Sequence, residues 1–277
     1  LPFGSGLPRV AVFDMAIQNT HRLLRIATHG KGMYEISLNA KSAFFDYDGD
    51  GKTDPSVYRP VQNAWYLLRS QAGFAAYQFG ANGDSLVPMD YTGDGKTDVA
   101  VWRPASGTWF VLRSEDLTVT GGGFGQNGDI VAPGDYDADG KADMAVYRPG
   151  ASSTFFVQRS TAGFIAFSFG IAEDKPTLGD FDGDGRTDFA VYRPSQGAWY
   201  RFNSSNNQFY AAAFGTTGDK IVPADYTGDG KTDIAVWREA SGVWFVLKSE
   251  DLQTVTGGGF GQAGDIPSPG DYDGDGR

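Results

Sequence analysis

Acidic residues alternate with small or polar ones in the stretch DYDGDGKTD (46–54), setting Asp46, Asp48, Asp50 and Asp54 at loop positions 1, 3, 5 and 9. The alternation leaves every second side chain free to turn inward on a common centre. Gly51, at position 6, permits a positive φ, so the backbone can wrap a central ion and offer the carbonyl of position 7. Hard oxygen donors on a flexible loop suit Ca²⁺ better than Mg²⁺, which keeps its waters in a tight octahedron. The loop recurs along the chain. It supplies Asp90, Asp94 and Asp98; Asp135, Asp137, Asp139 and Asp143; Asp180, Asp182, Asp184 and Asp188; Asp225, Asp229 and Asp233; and Asp271, Asp273 and Asp275. These residues are the expected metal ligands, at about one Ca²⁺ per complete loop.

Two other readings compete. An EF-hand needs flanking helices and a bidentate Glu at loop position 12. That position is instead Val57, Val101, Val146, Val191 and Val236, each inside an apolar run. Metal-free Asp-Gly turns need fewer carboxylates, and several ionised groups within a few ångströms would repel one another. The loop aspartates make up 21 of the 34 acidic residues, so a set of divalent ions would offset most of the formal net charge of −11. Some loops depart from the pattern. Thr92 and Thr227 stand at position 3, Ala138 and Ala142 enter the third loop, and the last loop stops before position 9. The two Thr loops keep three carboxylates and a hydroxyl, and weaker Ca²⁺ binding is expected of them.

Other chemistry is thinly supplied. With five Glu, two His and no Cys, disulfides, thiolate metal sites and cysteine nucleophiles are excluded, and no acid–base pair stands out. This segment is therefore expected to be noncatalytic. The acidic balance argues against nucleic acid, whose phosphates need a basic surface. No run of 18 apolar residues is present, so membrane insertion is not expected. GFGQNG (123–128) and GFGQAG (259–264) match a dinucleotide fingerprint, but no helix is expected after them. His21 and His29 read as turn residues, and Asn203 heads a glycosylation sequon by pattern alone.

The acidic loops begin at Asp46, Asp90, Asp135, Asp180, Asp225 and Asp271, a period of 44 to 46 residues. Around each loop the register holds. An Asp stands six residues before every loop from the second on (Asp84, Asp129, Asp174, Asp219, Asp265), and an Arg thirteen after the loop start (Arg59, Arg103, Arg148, Arg193, Arg238). An FG pair closes each unit. Trp65, Trp109, Phe155, Trp199 and Trp244 follow the hairpin turn. The Arg residues could form a receptor for acidic glycans and the aromatics could stack on sugars. Pairing and packing between repeats explain the same periodicity more simply. Within a unit, short runs rich in Val, Trp, Phe and Tyr alternate with Gly, Pro, Asn and Asp, and none holds a helical period. After the second loop the four strands read as VAVWRP, TWFVLRS, VTGGGFG and a short DIVAPGDY leading into the next loop.

Four strands in about 45 residues, tandemly repeated, predict an all-β fold: a β-propeller of four-stranded blades with five complete repeats and a truncated sixth. Residues 90–129 return almost unchanged at 225–265, so three blade types are laid down twice. Pro55 stands where later units carry a strand residue, which predicts an atypical edge in the first repeat. Residues 1–40 do not fit the repeat and read as three strands joined by turns. Neither the opening LPFGSGLPRV nor the closing DYDGDGR looks like a natural terminus, as expected of an excerpt from a longer protein.

DYDGDGKTD followed by an apolar strand, with FG upstream, resembles the FG-GAP/VCBS repeat family, related to the integrin α-subunit propeller. The resemblance spans 44–277 and makes 41–277 a propeller domain truncated at its C-terminal end. It implies Ca²⁺ in a hairpin loop of each blade and an extracellular or cell-surface setting, often bacterial. It also implies adhesion, display, or binding of a protein or glycan ligand. THGKG (28–32) with the strand after it resembles the closing blade of BNR or Asp-box propellers, which makes residues 1–40 the remnant of an upstream domain plus a linker. The alternatives are an accessory propeller of a polysaccharide-degrading lyase or sialidase-like glycosidase, catalytic upstream, and a structural spacer.

Overall fold

A computed structural model describes residues 44–277 and, before them, the backbone of three strands. The chain divides into two compact units, Leu1–Ser42 and Ala43–Arg277. In the first, β1 (Val12–Gln18), β2 (Leu23–Thr28) and β3 (Gly32–Ser37) form an antiparallel meander, in line with the three strands expected there. The turns between them, with His21 and His29, lie outside the described residues.

The second unit is a β-propeller of five antiparallel blades. The first holds β4 (Ser56–Arg59), β5 (Ala64–Arg69) and β6 (Gly73–Gln78). Four-stranded blades follow. The second is β7 (Ser85–Leu86), β8 (Val99–Arg103), β9 (Thr108–Leu112) and β10 (Val119–Gly123), and the third is β11 (Ile130–Val131), β12 (Met144–Arg148), β13 (Thr154–Arg159) and β14 (Gly163–Ser168). The fourth is β15 (Lys175–Thr177), β16 (Phe189–Arg193), β17 (Ala198–Phe202) and β18 (Phe209–Ala213). The fifth is β19 (Lys220–Ile221), β20 (Ile234–Arg238), β21 (Val243–Leu247) and β22 (Thr254–Gly259). No helix occurs among the described residues.

One boundary differs from the sequence reading. The short strand after each FG pair belongs to the blade of the acidic loop that follows it. Ser85 pairs with Trp102 and Leu86 with Val101, so β7 joins β8 across the loop. Backbone bonds enforce this, with Val87 N–H donating to Ala100 C=O and Asp98 N–H to Met89 C=O. β4 starts one loop position later than β8, after Pro55, as its missing N–H requires.

The core lies between blades. The Val at loop position 12 is 0–1 % exposed in the second to fifth blades (Val101, Val146, Val191, Val236) and packs on aromatics of the blade before it. Val101 meets Trp65, Val146 meets Trp102 and Trp109, Val191 meets Tyr147 and Phe155, and Val236 meets Tyr192 and Trp199. The Gly of the FG pair makes this approach possible. A Cβ on Gly125, whose φ is +92°, would sit 3.0 Å from Val146 Cγ1. Val57 of the first blade is 58 % exposed.

The acidic loops also touch one another. Thr97 N–H donates to Asp46 C=O (2.6 Å), and Ala142, Thr187 and Thr232 repeat the bond to Asp90, Asp135 and Asp180. Thr53 N–H closes the series on Asp271 C=O at 2.6 Å.

Truncating a buried position-12 valine removes two packed methyl groups. Val146→Ala should cost about 2 kcal/mol in urea denaturation, and Val57→Ala less than about 0.5 kcal/mol. Equal losses at the two sites would contradict this account of the core.

Candidate metal centre

Each loop is wound by its own first carboxylate. Asp90 Oδ1 accepts Gly93 N–H at 2.6 Å and Oδ2 accepts Gly95 N–H at 2.8 Å. Asp46, Asp135, Asp180, Asp225 and Asp271 take the equivalent pair. The glycine at position 6 has φ between 82° and 91° throughout, the left-handed conformation the wrap demands.

The ninth-position carboxylate clasps the loop to the hairpin beyond it. Asp98 Oδ2 accepts Tyr91 N–H (2.9 Å) and Oδ1 accepts Ser114 N–H (2.7 Å). Asp54, Asp143, Asp188 and Asp233 do the same with Tyr47 and Ser70, Tyr136 and Ser160, Phe181 and Ser204, and Tyr226 and Ser249. The fifth-position carboxylate accepts the hydroxyl of that serine, at 2.5 Å for Asp50 with Ser70 and 2.9 Å for Asp94 with Ser114. Asp139, Asp184 and Asp229 repeat it with Ser160, Ser204 and Ser249. The serines were not among the expected site residues, although they recur 24 or 25 residues after each loop start.

In the first and third loops the third-position carboxylate is only half satisfied. Asp48 Oδ2 accepts Gln71 N–H (2.8 Å) and Ala72 N–H (2.7 Å), and Asp137 Oδ2 accepts Ala162 N–H at 2.7 Å. Oδ1 of both residues is sealed from solvent without a donor. Four sets of carboxylates bring one oxygen each within 4.8 Å of the others: Asp46, Asp48 and Asp50; Asp135, Asp137 and Asp143; Asp180, Asp182 and Asp188; Asp271, Asp273 and Asp275. Such a donor set fits a hard divalent cation, since an oxygen accepting one N–H keeps a lone pair for a metal. Among the described residues no set forms in the two Thr loops, where Asp90, Asp94 and Asp98, and Asp225, Asp229 and Asp233, lack a third-position partner. There Thr92 Oγ1 lies 3.4 Å from Asp90 Oδ1, and Thr227 Oγ1 is buried without a partner.

Burial raises the pKa of Asp54, Asp90, Asp98, Asp135 and Asp180, with neighbouring carboxylates adding to it. Asp143 and Asp188 are pushed up to about 6 by burial, against the amide bonds that lower them.

The other periodic residues are committed to structure. Arg103, Arg148, Arg193 and Arg238 form two-pronged pairs with Asp84, Asp129, Asp174 and Asp219 at 2.7–3.0 Å. Each guanidinium lies 4.5–4.7 Å from an aromatic centroid, and Arg59 stacks on Tyr66 in the same way. Trp65, Trp109 and Trp199 are buried and donate Nε1–H to the FG carbonyls of Phe79, Phe124 and Phe214. Neither a free Arg ring nor an exposed sugar platform is formed by these residues. Asn203 is 5 % exposed, which shuts the sequon to a glycan.

A family model described as an FG-GAP-like repeat matches residues 90–146 and 180–236, and one described as an FG-GAP repeat matches 127–166. The chain carries FG-GAP repeats. No curated protein matches it. Among solved structures, it is similar to a virginiamycin B lyase from Staphylococcus aureus, with 8 % identity over 89 % of this chain and 84 % of that one and a TM-score of 0.51. A lectin of Agrocybe aegerita that recognises non-reducing terminal N-acetylglucosamine is 16 % identical over 82 % and 71 %, with a TM-score of 0.50. At these identities the likeness shows the propeller fold alone. The matched repeats fall on the second to fifth blades and their acidic loops.

The raised carboxylates set a pH dependence. Asp143 and Asp188 hold protons more tightly when folded, so their stabilisation is full below about pH 4 and is lost as pH rises through about 6. In chelator, Asp143→Asn should therefore show a less negative slope of stability against pH than the native chain between about pH 4 and 6.5. Parallel slopes would contradict the assignment.

Proposed function

We propose that this propeller is a calcium-stabilised, noncatalytic module for binding or display, working outside the cell on a protein or glycan ligand. The observation that carries the calcium reading is the pair of buried third-position oxygens, Asp48 Oδ1 and Asp137 Oδ1, left without donors. A buried, unpaired carboxylate oxygen costs free energy that a divalent cation recovers. Asp46, Asp48, Asp50 and their counterparts would hold the ion, which supplies positive charge and joins loop to hairpin. The extracellular setting rests on the family, since FG-GAP repeats are typical of extracellular proteins. The noncatalytic reading rests on the commitment of the periodic Asp, Arg and Trp residues to the fold.

Melting tests the first part. Millimolar calcium should raise the melting temperature over that in EDTA by about 5 °C or more. Identical melting in both would defeat the reading.

We also read the last loop as the start of a sixth blade. Asp271 already takes the bond from Thr53 that every other neighbouring loop makes, and Val57 exposes the face that a preceding blade covers elsewhere. Because the chain has no cysteine, Val57→Cys gives a single thiol. Appending a copy of residues 142–170 after Arg277 should slow its labelling by about tenfold or more, as a covered site requires. Unchanged labelling would dismiss the sixth position.

A further inference from the structure

Two residues past its hairpin aromatic, each blade turns one side chain into the space between blades. In four blades that residue is a buried aliphatic: Leu67, Val111, Val157 and Val246, at 0–8 % exposure. In the fourth it is Arg201. Arg201 makes no hydrogen bond or ion pair among the described residues, and its Nε is sealed from solvent without an acceptor. Its guanidinium lies between the rings of Phe181 and Tyr210, 5.2 Å from each centroid. Burial disfavours its charge and lowers its pKa.

The charged groups around it are engaged elsewhere. Asp188 and Asp182 act on it through space. Asp188 already accepts Phe181 N–H at 2.8 Å and Ser204 N–H at 2.7 Å, and Asp182 Oδ2 accepts the Ser205 hydroxyl at 2.6 Å. Lys248, across the cleft, is held by Glu250 at 2.9 Å and Asp251 at 3.0 Å. Beside the guanidinium lies a cavity of about 150 Å³ between the fourth and fifth blades, walled by Tyr200, Tyr210, Ile234, Leu247 and Leu252.

A guanidinium whose Nε–H is sealed from water without an acceptor, set in a cleft of this kind, lacks a planar oxyanion partner. We propose that Arg201 anchors a binding site for a small carboxylate with an apolar or sugar-ring body. One free cation fits a monoanion, and the planar fork matches a carboxylate in two-pronged contact. The aromatic and aliphatic walls take the ring attached to it. A free aromatic acid and the uronate of an acidic sugar share this chemistry.

Benzoate and glucuronate are the probes, titrated into the full chain by calorimetry, with melting followed in parallel. At least one should bind saturably and raise the melting temperature; benzoate alone marks a small acid, glucuronate alone an acidic sugar. Arg201→Leu, which installs the residue of the first blade, should weaken that binding by about tenfold or more. Without probe the variant should melt no lower than the native chain, because a half-buried cation with an unpartnered Nε is replaced by an aliphatic group. The proposal is overturned if neither probe binds or if the variant binds equally well. It is also overturned if the probe-free variant melts markedly lower, which would make Arg201 a through-space counter-charge to Asp182 and Asp188.

Discussion

Five carboxylates withdrawn from solvent hold the repeat together: Asp54, Asp98, Asp143, Asp188 and Asp233, each 0–1 % exposed. Each accepts one amide from its own loop and one from the end of the following hairpin, so loop and sheet form one body. Beside them the first- and third-position carboxylates converge with the fifth in the first loop and with the ninth in the third and fourth. Like charges brought out of water at such spacing raise one another's pKa and oppose folding unless protons or a cation compensate. On the proposed calcium reading, the attraction for a cation is a consequence of how the loops are wound.

Packing between blades rests on a second repeated contact. A valine two residues into the sheet sits over the FG glycine and the aromatics of the blade before it, with the indole N–H tied to the FG carbonyl. The Arg–Asp pair and its aromatic lid recur in each of the four-stranded sheets. Residues that recur in every blade are therefore used up by the fold. A ligand has to be met where the period breaks, and Arg201 is such a break.

Much of this was legible in the sequence because repetition amplifies weak signals. The loop register, the all-β class and the propeller followed from spacing, and the Arg–Asp and Trp roles followed from asking what periodic residues do. The ownership of the short strand did not, since its partner lies across a loop whose hydrogen bonds are backbone and carry no side-chain signature. Ser70 and its counterparts were visible as a recurring letter, yet their contact with the fifth-position carboxylate needs the hairpin folded back on the loop. Arg201 is a single letter in an apolar strand, and only the structure shows its Nε sealed without an acceptor.

The split between loop types offers the sharpest discrimination. In the first, third and fourth loops carboxylates converge within 4.8 Å, whereas no such set forms in the loops carrying Thr92 and Thr227. A calorimetric titration of calcium into the full chain should therefore resolve a tighter class of sites from a weaker one, and Thr92→Asp should move one site from the weaker class to the tighter. An absence of binding heat, or one uniform class unaffected by Thr92→Asp, would contradict the account.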